Sequence, residues 1–372
     1  MPLSGLLDVV LTDKAVTETV LAVDSASWAL SAPGPLRPFL VAAVAVEAQR
    51  GGADRPVLAV TATGREAEDL VSALSCFLPP DSVALYPSWE TLPHERLSPR
   101  ADTVGRRLAV LRRLAHPRLD DPATGPLKVV VAAVRSVLQP QVPGLGELEP
   151  VAFRAGDEVA LEDLVERLVL LGYARTDLVE KRGEFAVRGG IVDVFPPTEE
   201  HPVRTEFWGD TVEEVRWFKV ADQRSLLSSE GGLTESGLWA PPCRELLLTP
   251  EVRERAAILS AEHPELAEML DRIAEGIPVE GMESLTPALL DGTALRLLPQ
   301  EMPKGTHFVV CDPERVRTRA AELLRTSNEF LDASWATAAS GGLAPIDLGA
   351  AAYRSLADVR DTVVATGMPW WT

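Results

Sequence analysis

The amino-acid sequence predicts an α/β protein built on a parallel sheet, with a smaller α+β domain in its middle. Short apolar runs alternate with helical patterns between residues 39 and 132, and such alternation is typical of a parallel sheet covered by helices. Residues 151–236 instead combine one helix with several short strands and turns. A further apolar run at 307–311, between helical patterns, indicates that the α/β arrangement then returns.

The predicted elements can be placed in order. A short helical segment occupies residues 1–30, followed by helices over 39–50, 65–77 and 101–115 and strands over 57–60, 83–86 and 129–132. Prolines and glycines between residues 140 and 150 indicate a boundary. A helix over 161–171 ends at Gly172, and a Ser- and Gly-rich stretch at 225–237 closes the small domain. The predicted domains are therefore 1–150, 151–236 and 237–372.

The composition excludes several classes of protein. With 46% hydrophobic and 24% charged residues among 372, the chain has ordinary globular usage. The longest apolar run, at 39–46, is far shorter than the roughly 20 residues of a bilayer-spanning helix, and no secretory signal is recognisable, so we expect a cytoplasmic protein. The three cysteines and five histidines are scattered, and we expect neither disulfides nor a metal site.

The net charge bears on the partner. A formal charge of -19 repels a polyanion at long range, which disfavours tight nucleic-acid binding by the whole chain and favours a protein as the principal partner.

The sequence ends on Trp370, Trp371 and Thr372 without a polar tail, from which we expect that it continues in a longer protein.

No working nucleotide site is recognisable. A P-loop uses GxxxxGK[ST] to surround phosphates with backbone N–H groups, a lysine and a hydroxyl. The loop in that place, SAPGPLRP at 31–38, contains three prolines, which have no N–H to donate. Arg37 could meet an anion or be a solvated arginine, and Asp312 is expected to cap a helix that begins at Pro313. We expect no cofactor and no enzyme activity; ATP binding through an unusual loop is the alternative.

Three stretches carry a resemblance to a known family. They are YPSWETLP at 86–93, RGEFAVRGGIVDVFP at 182–196 and PVRTEFWGD at 202–210. In this order, and downstream of a degenerate P-loop, they resemble the N-terminal region of the bacterial transcription-repair coupling factors, which is itself similar to the repair helicase UvrB. The resemblance covers nearly the whole chain.

The resemblance implies a fold and a role. Residues 1–150 and 237–372 would form a degenerate helicase-like domain of the UvrB type, and 151–236 an inserted domain that binds the damage sensor UvrA. The implied role is that of a non-catalytic adaptor in transcription-coupled nucleotide-excision repair. The full-length family protein is an ATP-dependent DNA translocase, and its motor domains, with the partners RNA polymerase and double-stranded DNA, would lie outside this region. UvrB carries a DNA-gripping hairpin after the counterpart of Tyr86, whereas only a short loop to about Pro99 follows here, so damage verification is not expected.

Strand alternation predicts the partner-binding face. If Val203, Thr205 and Phe207 point to a core, then the set Arg204, Glu206 and Trp208 shares the outer face, and an exposed Trp beside an Arg is a typical hot-spot composition. Arg188 precedes Gly189 and Gly190, where a bulge or a tight backbone approach is expected, and joins the same face. The resemblance implies that Arg188, Arg204 and Trp208 contact UvrA, with Trp208 in place of the usual Phe.

The same residues could instead have structural roles that involve no binding partner. Arg204 could form a solvated ion pair with Glu206 or Glu213 across the hairpin, a contact that stabilises a protein by at most about 1 kcal/mol. Asp193 is expected to satisfy backbone or basic neighbours rather than to catalyse a reaction, and Gly209 and Asp210 are expected to form the turn.

The one basic patch is an arginine cluster between residues 96 and 118. Its members are Arg96, Arg100, Arg106, Arg107, Arg112, Arg113 and Arg118. The cluster is expected opposite an apolar helical stripe of Val104, Leu108 and Leu111, where a solvated helix face is one interpretation. The other is a weak, salt-sensitive DNA-binding module, with possible DNA contacts at Arg106, Arg107, Arg112 and Arg113.

Overall fold

The computed structural model describes residues 3–22, 25–48, 55–92, 95–118, 124–226, 237–290, 295–339 and 352–372. Its α-helices are α1 Ser4–Val10, α2 Lys14–Leu21, α3 Arg37–Glu47, α4 Gly64–Leu74, α5 Ala101–Ala115, α6 Val134–Leu138, α7 Leu161–Leu170, α8 Pro250–Glu262, α9 Ala267–Ala274, α10 Thr286–Leu289, α11 Leu298–Glu301, α12 Pro313–Ala339 and α13 Leu356–Ala365. Its strands are β1 Ser27–Trp28, β2 Val57–Thr61, β3 Val83–Tyr86, β4 Val129–Ala133, β5 Val151–Phe153, β6 Ala174–Arg175, β7 Glu184–Arg188, β8 Ile191–Val194, β9 Val203–Trp208, β10 Thr211–Trp217, β11 Leu238–Ala240, β12 His307–Val310 and β13 Trp370–Trp371.

The chain divides into two compact units. The first comprises Met1–His94, Val110–Gly146 and Asp291–Thr372, and the second comprises Glu95–Ala109 and Glu147–Leu290. The second unit thus extends beyond the span 151–236 that the sequence suggests for an inserted domain. The division into three sequence domains stays a prediction. The Ser- and Gly-rich stretch at 227–236 and Pro93 of the first motif lie outside the described residues.

A six-stranded parallel sheet forms the centre of the first unit. Its strand order is β1-β13-β12-β2-β4-β3. The sequences of β2 and β4, VLAVT and VVVAA, are continuous apolar runs and are buried at every position. Strands covered on both faces have this pattern, since neither set of alternating side chains meets water. The predicted α/β class with a parallel sheet is therefore confirmed.

Helices of the first unit pack on this sheet through their apolar faces. Val44 of α3 and Leu70 of α4 are buried in the same cluster as Val57 and Val131. The helix α4 begins with a capping box in which Thr63 and the Glu66 side chain satisfy each other's backbone N–H groups. Burial of these apolar stripes against the strands holds the unit together, because each buried aliphatic side chain contributes roughly 1.5–3 kcal/mol.

The second unit contains a five-stranded sheet of order β10-β9-β8-β7-β6. Neighbouring strands are antiparallel, except that β6 runs parallel to β7. One face, here called the inner face, packs with α7 and with the two-stranded β5–β11 sheet around Leu164, Phe185, Val192 and Phe207. The opposite face is called the outer face. It carries a small apolar cluster and the candidate site.

Two helix ends have the residues that the sequence predicts there. α7 ends at Leu170, and Gly172 follows with a φ of 84°, the left-handed conformation predicted for a glycine at a helix end. α12 begins at Pro313, and Asp312 accepts a hydrogen bond from the Arg315 N–H at 3.4 Å, so the predicted capping role of Asp312 is confirmed. Within the described ranges, no helix has the length and apolar composition needed to cross a membrane.

Candidate functional site

The outer face of the five-stranded sheet is the candidate site. On β9, Val203, Thr205 and Phe207 are buried, as the alternation predicts. The side chains of Arg204, Glu206 and Trp208 therefore lie on the outer face. The turn to β10 consists of Gly209 and Asp210, as predicted, since Trp208 pairs with Thr211.

Strand register aligns the outer-face residues in two rows across the sheet. The first row contains Ala186, Asp193, Arg204 and Arg216. The second row contains Arg188, Ile191, Glu206 and Glu214. Trp208 stands beyond the second row, at the end of β9. The predicted interface residues Arg188, Arg204 and Trp208 are thus brought onto one surface.

A buried carboxylate links the two arginines. Asp193 is completely inaccessible to water and forms ion pairs with both Arg188 and Arg204. Nε and Nη2 of Arg204 donate to Oδ1 and Oδ2 of Asp193 at 2.7 and 2.8 Å, and Nη2 of Arg188 also donates to Oδ2. A charge without water is stable only when it is paired and hydrogen-bonded. The expected role of Asp193, as a partner of basic neighbours, is confirmed.

Arg204 is held from several sides. Its side chain is only 14% exposed, its Nη1 donates to the carbonyl oxygen of Gln223 at 3.1 Å, and its guanidinium lies 4.6 Å from the centre of the Phe218 ring. Hydrogen bonding to Asp193 raises the pKa of Arg204 and outweighs the opposing effect of burial. The solvated pairing with Glu206 or Glu213 is wrong, because Arg204 turns to the buried Asp193 instead.

Arg188 and Trp208 are the more accessible members of this surface. The Arg188 side chain is 44% exposed, and Trp208 is 77% exposed. Gly209 follows Trp208 with a φ of 59°, a conformation that glycine adopts without strain. At Gly190, a Cβ atom would lie 2.9 Å from the carbonyl oxygen of Phe207, so the tight backbone approach expected there is confirmed.

A second charged group on the outer face was not predicted. Arg216 forms ion pairs with Glu206 and with Glu214, the latter at 2.6 Å. A β-bulge between Val212 and Glu214 shifts the register by one residue, so that Glu206 faces Glu214. Counting outward from the turn would have paired Glu206 with Glu213. The sequence shows the acidic residues of the hairpin, but it carries no clear signal for the bulge.

The arginine cluster does not form a uniform solvated face. Arg107 is completely buried and ion-paired with buried Glu245, so its predicted DNA contact is wrong. The helical spacing of Val104, Arg107, Leu108 and Leu111 places Arg107 on the apolar stripe rather than opposite it, which was a usable signal. Arg106 is 53% exposed, and its Nη2 donates to Asp102 at 3.1 Å.

The other two arginines of the predicted DNA contact bind backbone carbonyl groups. Arg112 donates to the carbonyl oxygen of Gly146 at 3.4 Å, and Nε of Arg113 donates to that of Gly125 at 2.9 Å. Both are partly buried. Arg106 and Arg107 belong to the second compact unit, whereas Arg112 and Arg113 belong to the first. DNA contact by Arg106, Arg112 and Arg113 stays a prediction.

The degenerate P-loop borders a cavity in the first unit. The loop lies between β1 and α3, and the cavity beside it has a volume of about 380 Å³. Apolar side chains, among them Leu40, Val44 and Trp371, form much of its wall. Arg37 and Asp312 contribute opposite charges, with their nearest nitrogen and oxygen 4.0 Å apart. In the part of the chain that the structure describes, no three His, Cys, Asp or Glu side chains are grouped to hold a metal ion.

Comparison with known proteins identifies the region that carries the candidate site. Residues 151–231 match the family model of the UvrB interaction domain. The whole chain is 50% identical to the transcription-repair-coupling factor of Mycobacterium bovis, of which it covers 30%. It is 34% identical over 75% of its length to the transcription-repair-coupling factor of Myxococcus xanthus, of which it covers 24%. Over 55% of its length it is 30% identical to the UvrABC system protein B of Streptomyces avermitilis, of which it covers 28%.

The similarity to the mycobacterial coupling factors extends over all of this chain and over only part of those proteins. The chain spans about 30% of the length of the mycobacterial coupling factors that it matches. The outer face, with Arg188, Arg204 and Trp208, lies within the span that matches the UvrB interaction domain. The chain therefore belongs to the family of the transcription-repair-coupling factors, and its residues 151–231 are a UvrB interaction domain.

Proposed function

We propose that this chain is a non-catalytic adaptor module of transcription-coupled nucleotide-excision repair that recruits the damage sensor UvrA through the outer face of its five-stranded sheet. One observation carries the proposal: within the UvrB interaction domain, Trp208 is 77% exposed and shares a face with the paired Arg188 and Arg204. Trp and Arg are the residue types most enriched among the anchors of protein interfaces.

The three residues would have different roles in the complex. Trp208 offers a large, stiff apolar surface that an apolar pocket of UvrA can receive. Arg188, with its side chain 44% exposed, offers N–H groups that can donate charge-assisted hydrogen bonds to a carboxylate of the partner. Arg204 is only 14% exposed, so it would contribute partly by direct contact and partly by holding Asp193, which in turn positions Arg188.

The degenerate nucleotide site supports a role without catalysis. Pro33 and Pro35 remove backbone donors from the loop, and Asp312 caps α12. ATP-driven translocation, together with binding of RNA polymerase and double-stranded DNA, would then belong to other parts of a full-length coupling factor. This division fits a chain that spans about 30% of its mycobacterial relatives.

The proposal is tested by calorimetric titration of the chain with purified UvrA. Trp208→Ala and Arg188→Ala are each expected to weaken binding by about 30-fold, equivalent to about 2 kcal/mol, with little change in melting temperature. The control is Leu170→Ala on α7, because Leu170 is 61% exposed and α7 packs on the inner face. Wild-type affinity in both interface variants would refute recruitment through this face.

A further inference from the structure

The outer face carries two groups of charges with opposite net sign. In the basic group, Arg188 and Arg204 share the single carboxylate of Asp193, which leaves one net positive charge. In the acidic group, Arg216 is shared by Glu206 and Glu214, which leaves one net negative charge. Each group is internally paired, and the accessible charge of the basic group is that of Arg188, whereas the accessible charges of the acidic group are those of Glu206 and Glu214.

The register separates the outermost charges of the two groups along the outer face, although the groups adjoin at β9, which carries both Arg204 and Glu206. Arg188 lies on β7 and Glu214 on β10, three strand spacings or about 14 Å apart in the same row. Glu213 is also exposed, and it lies next to Glu214 on the edge strand β10. Trp208 stands one position beyond Glu206 in the outward alternation of β9. The face therefore has a positive side, a negative side and an exposed indole.

Both sides remain accessible enough to interact with a partner. Side-chain exposure is 44% for Arg188, 35% for Glu206 and 39% for Glu214. A partner that covers the face must compensate these charges, because a charge that loses its water without gaining a partner is costly. A carboxylate is the matching group for Arg188, and a lysine or arginine is the matching group for Glu206 and Glu214.

On the basis of the proposed function, we propose that the UvrA surface that receives this face is bipolar. It has acidic side chains opposite Arg188, basic side chains opposite Glu206 and Glu214, and an apolar pocket for Trp208. Such a surface accepts the domain in one orientation, because rotation by half a turn brings like charges together. A uniformly acidic surface, which two arginines alone would suggest, is the competing arrangement.

The test is the rate at which the chain associates with UvrA at low and at high salt. The double reversal Glu213→Lys/Glu214→Lys is expected to slow association at least about 10-fold at low salt, with a smaller effect at high salt. The matched control is Glu162→Lys/Glu166→Lys, because both residues are exposed on α7, which packs on the inner face, and the change in net charge is the same. This control is expected to associate at nearly the wild-type rate.

A milder variant protects the test against misfolding, since Glu214 also pairs with Arg216. Glu213→Gln/Glu214→Gln removes the charges without adding repulsion and is expected to slow association about threefold at low salt. Melting temperatures of the free variants show whether each one is folded. If the lysine variant is unfolded, the association rate of the glutamine variant tests the bipolar surface.

The outcomes separate this inference from the proposed function. Unchanged or faster association of the folded acidic-side variants overturns the bipolar surface. If Trp208→Ala and Arg188→Ala still weaken binding in that case, recruitment through the outer face stands and only the charge arrangement of UvrA is wrong. If the wild-type chain does not bind UvrA, both the proposed function and the bipolar surface are wrong.

Discussion

Asp193 and Arg204 form a bidentate ion pair between adjacent strands, with nitrogen–oxygen distances of 2.7 and 2.8 Å and a carboxylate that water does not reach. The same carboxylate also accepts a hydrogen bond from Arg188. The ion pair therefore stabilises the domain and also lies in its candidate interface. Substitutions here affect partner binding in two ways, which must be measured separately.

Arg204→Ala is expected to lower the free energy of unfolding by about 3–5 kcal/mol, because it removes one partner of a buried ion pair. Arg188→Ala is expected to lower it by at most about 1 kcal/mol, since the Arg188 side chain is 44% exposed. Urea unfolding of both variants at neutral pH measures the difference. Equal losses would contradict the assignment of Arg204 as the buried and Arg188 as the accessible arginine.

The buried pair of Arg107 and Glu245 makes a second prediction. Arg107→Ala is expected to cost about 3–5 kcal/mol of stability, because Glu245 would be left charged and buried, whereas the double variant Arg107→Met/Glu245→Leu should recover most of the loss. Arg106→Ala, at a half-exposed position, serves as the control and should change stability by less than about 1 kcal/mol. Thermal unfolding followed by circular dichroism compares the four proteins. A tolerated Arg107→Ala would show that the guanidinium is not needed inside the domain.

The cysteines should differ in reactivity. Burial raises the pKa of the Cys311 thiol to about 12 and raises that of Cys243 as well, whereas Cys76 is exposed. The thiolate is the reactive form, so both buried thiols stay protonated and inert at pH 8, and their reactivity should rise only at much higher pH or on unfolding. Alkylation of the native chain at pH 8, followed by mass spectrometry, should label Cys76 first. Equally fast labelling of Cys311 would contradict its burial.

Magnesium-ATP should leave the melting temperature unchanged at millimolar concentration, and no turnover should be detected. Pro33 and Gly34 at the cavity border provide one N–H between them, and the carboxylate of Asp312 lines the cavity that a triphosphate would enter. Differential scanning fluorimetry and a phosphate-release assay test both statements. A rise of several degrees would reveal nucleotide binding. Its loss in Arg37→Ala would then locate the nucleotide in this cavity.

Prediction from sequence worked best where a pattern is local. The bounds of β3 and α5 agree with the predicted 83–86 and 101–115, because continuous apolar runs and helical spacing are properties of single segments. β1 and β13 have two residues each and were not predicted as strands, since two residues contain no period. The bulge in β10 was missed as well, because one extra residue in a strand leaves no mark on its composition.

The sequence alone determines which side chains of β9 lie on each face of the sheet. Side chains alternate along any strand, so the positions of Thr205 and Trp208 on opposite faces follow from chain geometry and burial preference alone. The pairing of charges does not follow from the same information. Asp193 pairs with Arg204, and Arg216 pairs with Glu206, because β8, β9 and β10 are neighbours in the folded sheet and the bulge in β10 sets which residues face each other. Ion pairing depends on distances of a few ångströms between side chains on different strands, and only the folded sheet sets those distances.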